Sequence, residues 1–445
     1  MRSLSAVVAA AVGAAVAVIA LIGPTAFFVV DSAGTGSRFG SFFDSSAAVA
    51  AAAVVVALLV ASVMRNRAVA VVGAAVGLIA LAVLAFTVKN GQGIGYSTAI
   101  AAGLVLGALA VMTQPDPSIG GRAGRIGLAA GVVAGSLLAQ ALPSTGGFGP
   151  GTSRRYADYL PGDLVSTEKG SGLLTVVGVI VAVIALAALA LQIKGTTTGA
   201  VERPDATVAI TGLGIAVAIV LVSGWSVESR SPYGQLSPPG WVFGSLLVVI
   251  VLAVALVLPG RTGLAWVGVV ALVAAGAVAD LSGINVVVGV VVTVLIGLGA
   301  ASSGRRNLLP LGIAVLVVVA LLQLSGGDSS TLIAAVAAVF VAPFAVSYTA
   351  AVCVSEPSSS QPLTHPAIIA TALAACVPLS AVGGGADFGW TAYTPLTDAR
   401  SSHLDLGFGY TSGTTVTTSV LSLIAAGVVA WVITRRPVDN VPEAQ

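Results

Sequence analysis

An all-α polytopic integral membrane protein is the fold class this sequence predicts: a bundle of about 14 transmembrane helices with short loops and both termini cytoplasmic. Three observations predict it. The 445 residues are 57% hydrophobic and only 8% charged, with a mean hydropathy of +1.05, whereas soluble domains run near a quarter charged. Apolar residues gather in runs of about 17 to 25 without a charge, the length that crosses a hydrocarbon core. Most connections between the runs are too short to be domains, so the chain 1–445 reads as a single transmembrane helical domain with a tail at 435–445.

Taken in order, the runs are 5–30, 46–64, 68–88, 96–112, 126–142, 173–193, 207–225, 241–258, 263–281, 285–302, 308–324, 331–354, 367–382 and 415–434. Arg2 precedes the first run as it would a signal peptide. Its roughly 26 apolar residues exceed the 7 to 15 of a signal core, so the run is read as an anchor. Pro24, Pro310 and Pro343 can kink their spans, as prolines often do in membrane helices. Cys353 and Cys376 both fall in apolar runs and read as small buried hydrophobes.

An even number of spans puts both termini on one side, and the Lys/Arg balance chooses the side. With the termini inside, 12 basic residues lie inside and 7 outside, and the pairs Arg65/Arg67, Arg305/Arg306 and Arg435/Arg436 are all inner. The reading is a multi-pass protein of a bacterial cytoplasmic (inner) membrane, the Arg-over-Lys and Ala/Val/Gly bias being what a GC-rich genome imposes. Its partner is the lipid bilayer, with other membrane proteins as a second class. Net charge is only +2 and the basic residues are scattered, so nucleic acid is not an expected partner.

Four longer outer loops remain, at 31–45, 143–172, 226–240 and 383–414. Each holds an aromatic followed by glycine: Phe39-Gly40, Phe148-Gly149, Tyr233-Gly234 and Phe388-Gly389. The second and fourth are most alike, GGFGPGTSRRYADYLPGD beside GGGADFGWTAYTPLTD. Duplication accounts for that likeness, and so does the shared chemistry of interfacial turns, where aromatics anchor and Gly and Pro turn the chain.

Chemistry inside the membrane is sparse. The spans contain no Asp, Glu, Lys, Arg or His except Asp280, near the outer end of its run, where it reads as a cap of the turn LSGIN. Proton relays keep ionisable groups inside their spans, so coupling through intramembrane carboxylates is not expected. No P-loop, nucleotide-binding glycine motif or nucleophile elbow is present. His365 begins a span after a Pro/Ser loop and has no ligand neighbour. No catalytic residue, cofactor or metal site is therefore expected, and the protein is not read as an enzyme.

Recognition is expected in the loop 383–414, which concentrates Asp387, Phe388, Trp390, Tyr393, Asp398, His403 and Asp405. Trp390 and Tyr393 are expected to fold back onto the outer span ends, where the burial of two rings stabilises a cap. Within it, Gly389, Trp390, Thr391, Tyr393, Pro395 and Leu396 resemble the GWT-x-Y-P-P-L loop of subunit I of haem-copper oxidases, with Thr394 in place of the first proline. That family holds haem and copper on intramembrane histidines, and the spans here have none. The resemblance implies a shared aromatic turn at the interface and leaves open an accessory subunit beside such a complex; a catalytic oxidase is excluded.

The functional reading is a permease-like protein for a lipid-linked or weakly polar solute, without intramembrane carboxylate proton coupling. The alternative is a non-catalytic membrane subunit or scaffold of an envelope-biosynthesis or respiratory complex. A weaker alternative is a polyprenyl-phosphate-dependent glycosyltransferase, for which Asp31 and Asp44 in the first outer loop are the acidic residues. The topology is tested by cysteine labelling in intact cells. Ser401→Cys is expected to react with an impermeant maleimide and Asn440→Cys to stay unreactive, and the reverse pattern would invert every loop assignment.

Overall fold

A computed structural model describes residues 2–25, 46–64, 66–87, 92–113, 121–139, 170–193, 206–229, 240–258, 261–279, 281, 286–304, 308–324, 330–355, 365–383 and 413–436. They form helices and no strand, one helix for each run of the sequence. These are α1 (Arg2–Thr25), α2 (Ser46–Val63), α3 (Arg67–Thr87), α4 (Gln92–Met112), α5 (Gly121–Leu138), α6 (Gly170–Ile193) and α7 (Ala206–Ser229). They continue as α8 (Gly240–Val257), α9 (Leu264–Gly276), α10 (Val286–Ser302) and α11 (Leu309–Leu324). In α12, Ser330–Val336 passes through a π-helical turn, Ala337–Val341, into Ala342–Ser355; α13 (His365–Gly383) and α14 (Gly413–Thr434) complete the bundle.

The π turn has a local cause. Pro343 lacks an N–H, and its ring crowds the carbonyl four residues back, so the helix widens just before it. The peripheral helices show why lipid must surround the bundle. Val69, Val72, Val76, Ile79 and Val83 of α3 are exposed, as are Ile210, Leu213, Val217 and Leu221 of α7. Both sets recur every three or four residues, which makes one continuous apolar stripe per helix. In water such stripes would drive association; in a bilayer they are ordinary.

Central helices look different. From Leu264 to Leu272 every residue of α9 is buried, and so is every residue of α13 from Ala367 to Cys376. Five helices are long and apolar enough to cross a membrane and eight more are apolar over 10 to 17 described residues, yet α5 falls in neither group. It has Gly and Arg where the others have Val and Leu. Protein rather than lipid covers it: within α5 the one exposed residue whose side chain is described is Arg122.

The packing resolves into two like units. In α1–α6 the six closest helix pairings join first to fourth, first to fifth, first to sixth, second to fourth, third to fourth and third to sixth. The same six pairings dominate α9–α14. Contacts between the units are reciprocal as well. Helix α2 packs on α13 while α10 packs on α5, and α4 packs on α13 while α12 packs on α5. An interface in which i meets j′ and j meets i′ is that of a twofold axis. First helices of both units are odd-numbered in the chain and so leave from the same face, which sets the axis along the membrane normal.

Helices α7 and α8 are the insertion between the units. The first packs on α2 and α13, the second on α9, α13 and α14. Trp225 of α7 meets Phe243 of α8 edge to face at 4.9 Å. The two loops of similar sequence, 143–172 and 383–414, join the fifth helix to the sixth in their respective units, so the likeness seen in sequence falls at equivalent places.

Within each unit the helices approach through glycine. A Cβ on Gly127 would stand 2.7 Å from the Val7 carbonyl oxygen, one on Gly135 2.9 Å from that of Ala15, and one on Gly131 would strike the Ala11 carbonyl directly. Small residues allow this because the attraction between helices in lipid comes from close backbone packing. By contrast, Gly289 on α10 has nothing within 4 Å of a Cβ. Gly131→Leu is therefore expected to cost at least about 1 to 3 kcal/mol by overpacking, lowering the yield of monodisperse protein and the unfolding temperature in detergent. Gly289→Leu is expected to leave both near those of the parent.

Candidate functional site

The loop residues singled out for recognition, Asp387, Phe388, Trp390, Tyr393, Asp398, His403 and Asp405, lie outside the described residues. So do Asp280 and the first-loop acids Asp31 and Asp44. The described structure instead draws attention to the face on which α1 begins and α14 ends, here the basic face.

Helix α5 has two sides. Gly124, Gly127, Gly131 and Gly135 repeat at three and four residues and turn toward α1 and α4 of their own unit. Arg122, Arg125, Ala129 and Val133 repeat at the same spacing, about 160° around the helix at 100° per residue. Ala129 and Val133 line a dry gap against Gly268 of α9, Val354 of α12 and Leu373 of α13, all in the second unit. Arg122 spans the seam at its end on the basic face, donating from Nη2 to the carbonyl oxygen of Ser303 beyond the end of α10, at 3.4 Å. A cation at a helix C-terminus is stabilised by the partial negative charge of unpaired carbonyls.

The same chemistry fastens the insertion to the second unit. Arg436 donates from Nη1 to the Leu258 carbonyl at 2.8 Å and from Nη2 to that of Leu256, capping the end of α8. Arg261, in the turn that follows α8, donates from Nη2 to the Thr434 carbonyl at 3.3 Å and caps α14 in return. Arg435 lies over Trp431 with its guanidinium carbon 3.8 Å from the ring centroid, a cation–π contact.

Toward the opposite face a cavity of about 50 Å³ lies between α8, α9, α13 and α14. Ser245, Thr418, Ser419 and Ser422 give it hydroxyls, while Val270 and Leu379 supply apolar wall. Ser422 already donates to the Thr418 carbonyl at 2.7 Å, the usual back-bond of a hydroxyl within a helix. A cavity of this size holds a water or two. Its lining has neither an acid nor a base, so the chemistry it offers is hydrogen bonding to neutral groups. No cluster of three or more metal-ligating side chains occurs among the described residues.

Sequence reasoning missed the arginine side of α5. A charge-free criterion starts the span at residue 126 and leaves Arg122 and Arg125 in the preceding loop, whereas the helix begins at Gly121. The signal available was their i, i+3 spacing in IGGRAGR directly before an apolar run.

No family model and no curated protein matches the chain. Among solved structures it is similar to a POT family transporter in complex with 5-aminolevulinic acid, at 12% identity and a TM-score of 0.48, covering 97% of this chain and 95% of that one. It is similar to the major facilitator superfamily proton:xylose symporter XylE bound to 6-bromo-6-deoxy-D-glucose, at 14% identity and a TM-score of 0.46, covering 96% and 95%. A peptide transporter POT mutant in complex with alafosfalin follows at 14% identity and a TM-score of 0.44, covering 97% and 94%. Likeness at that level transfers neither a solute nor a coupling ion.

Arg436→Gln is expected to uncap α8 and lower stability by about 1 to 2 kcal/mol, since hydrogen bonds to charged groups contribute more than neutral ones. Arg435→Gln, losing an exposed cation–π contact, is expected to cost about 0.5 to 1 kcal/mol. Thermal unfolding of the purified variants checks the order.

Proposed function

We propose that the chain is a permease-like protein of a bacterial cytoplasmic membrane, in which two six-helix units rock about their shared seam to move a neutral, weakly polar or lipid-linked solute. One observation carries the reading: the reciprocal packing of α1–α6 against α9–α14 about an axis along the membrane normal. Repeats so related are built for rigid-body rocking around a site at their interface. The basic face is the cytoplasmic one, by the Lys/Arg balance, and the seam is shut there around Ala129 and Val354. The hydroxyl cavity and the charge-poor spans support a solute that needs no intramembrane carboxylate.

The scaffold reading keeps one observation in its favour: the hydroxyl cavity, at about 50 Å³, is far below the roughly 300 Å³ at which small-molecule sites begin. Labelling separates the two. In a background with Cys353→Ala and Cys376→Ala, Ala129→Cys places a thiol in the closed seam, whereas Ala14→Cys, at 0% exposure on α1, places one inside a unit. If the units rock, a water-soluble maleimide applied to inside-out vesicles labels Ala129→Cys within minutes and leaves Ala14→Cys untouched. Equal silence at both positions over hours points to the static scaffold.

A further inference from the structure

Arg125 is the group that the packing leaves unexplained. It is 5% exposed, and its Nε has no hydrogen-bond partner among the described residues. Arg122, one helical turn earlier and of the same sign, opposes its charge. Among the described residues the one acid is Glu228, near the end of α7 on the opposite face. A buried cation without a counter-ion costs several kcal/mol even after relaxation, so Arg125, with none among the described residues, calls for an anion.

The surroundings fit one. Both arginines stand within the first five residues of α5, near the end whose first four backbone N–H groups have no partner within the helix and whose dipole is positive. The helix begins at Gly121, which brings no side chain over that end. Glycine beside a helix N-terminus, with planar guanidinium forks in reach, is the combination that suits a tetrahedral oxyanion, because arginine can present two parallel N–H groups to it. Hydroxyls nearby do not compete as donors. Thr113 and Ser303 are buried and donate to carbonyls of their own helices, at 3.0 and 2.6 Å.

We propose that Arg125 and Arg122, with the N-terminus of α5, form a phosphate-group site at the basic end of the seam, taking either an anionic phospholipid headgroup or a soluble phosphate. Arg122 already reaches the second unit through Ser303, so a bound phosphate sits where the units meet and favours the closed seam. The site goes beyond the transport reading, and its test reads binding rather than movement.

The full chain is placed in nanodiscs of phosphatidylcholine, and unfolding is followed with a thiol-reactive dye that reports Cys353 and Cys376, both buried in the folded state. One arm adds inorganic phosphate at about 10 mM against chloride of equal ionic strength, and a second replaces part of the lipid with phosphatidylglycerol, since a ligand of the folded state raises the midpoint by mass action. A rise of several degrees in the first arm identifies a soluble phosphate; a rise confined to the second identifies the lipid headgroup. Arg125→Met is expected to be more stable than the parent in phosphatidylcholine without phosphate, because it removes an unpaired buried charge, and to respond in neither arm. Arg125→Lys is expected to respond weakly. A parent that responds in neither arm, or an Arg125→Met variant that responds as the parent does, overturns the site. Asp116 and Glu356, in the connections before α5 and after α12, lie outside the described residues. A phosphate-insensitive parent destabilised by Asp116→Asn or Glu356→Gln would make one of them the counter-ion, and would overturn the site equally.

Discussion

Backbone-to-backbone approach between α1 and α5 is the constraint on which the remaining packing depends. In lipid there is no hydrophobic drive to push two apolar helices together, so attraction must come from contact at short range. Gly127, Gly131 and Gly135 leave one side of α5 without side chains at successive turns, and carbonyls of Val7, Ala11 and Ala15 fill the space. The same device recurs in the second unit with different residues. Gly299 of α10 admits the carbonyl of Phe344 from α12, and the hydroxyl of Ser347 bonds the Ile296 carbonyl at 2.8 Å across the same pair. Small residues thus stand where helices cross closely, within a unit as at Gly131 and across the seam as at Ala129 and Gly268, and branched ones face lipid on α3 and α7.

That division gives α5 its second side. Once glycine has bound it to its own unit, the opposite face is committed to the seam, and protein covers it from Arg125 onward. Only a helix so covered can be rich in glycine and carry two arginines near its start without meeting hydrocarbon. The basic face then becomes the place where charge can be used. Arg122 caps α10 across the seam, and Arg436 and Arg261 cap α8 and α14 reciprocally. In each pair a guanidinium meets carbonyls that the helix end leaves unpaired, so the cations of this face tie helix ends together.

Among the described residues the groups toward the opposite face are of weaker polarity. Hydroxyls of α14 and α8 line a small cavity, and edge-to-face rings hold α7 to α8. The neutral hydrogen-bonding groups of the cavity lie toward this face and, among the described residues, the charged contacts lie at the basic one. Separation of the units there would have to break the Arg122 bond and wet the Ala129 gap.

Span number and helical class were legible in the sequence because hydrocarbon imposes them locally: a run of sufficient length without charge has no alternative but a helix whose backbone satisfies itself. The loops 143–172 and 383–414, alike in their Gly-Gly, Phe-Gly, Tyr and Pro, join the fifth helix to the sixth in each unit, a place in the packing that the sequence did not reveal. The shared pairing pattern of the two six-helix units was not legible either, since it lies in which helices touch and not in any motif of the chain. What the tertiary structure alone decided is which neighbour each helix face meets. Arg125 reads as a loop charge until packing shows α5 to be enclosed, because the meaning of a charge depends on whether water, lipid or protein lies beside it.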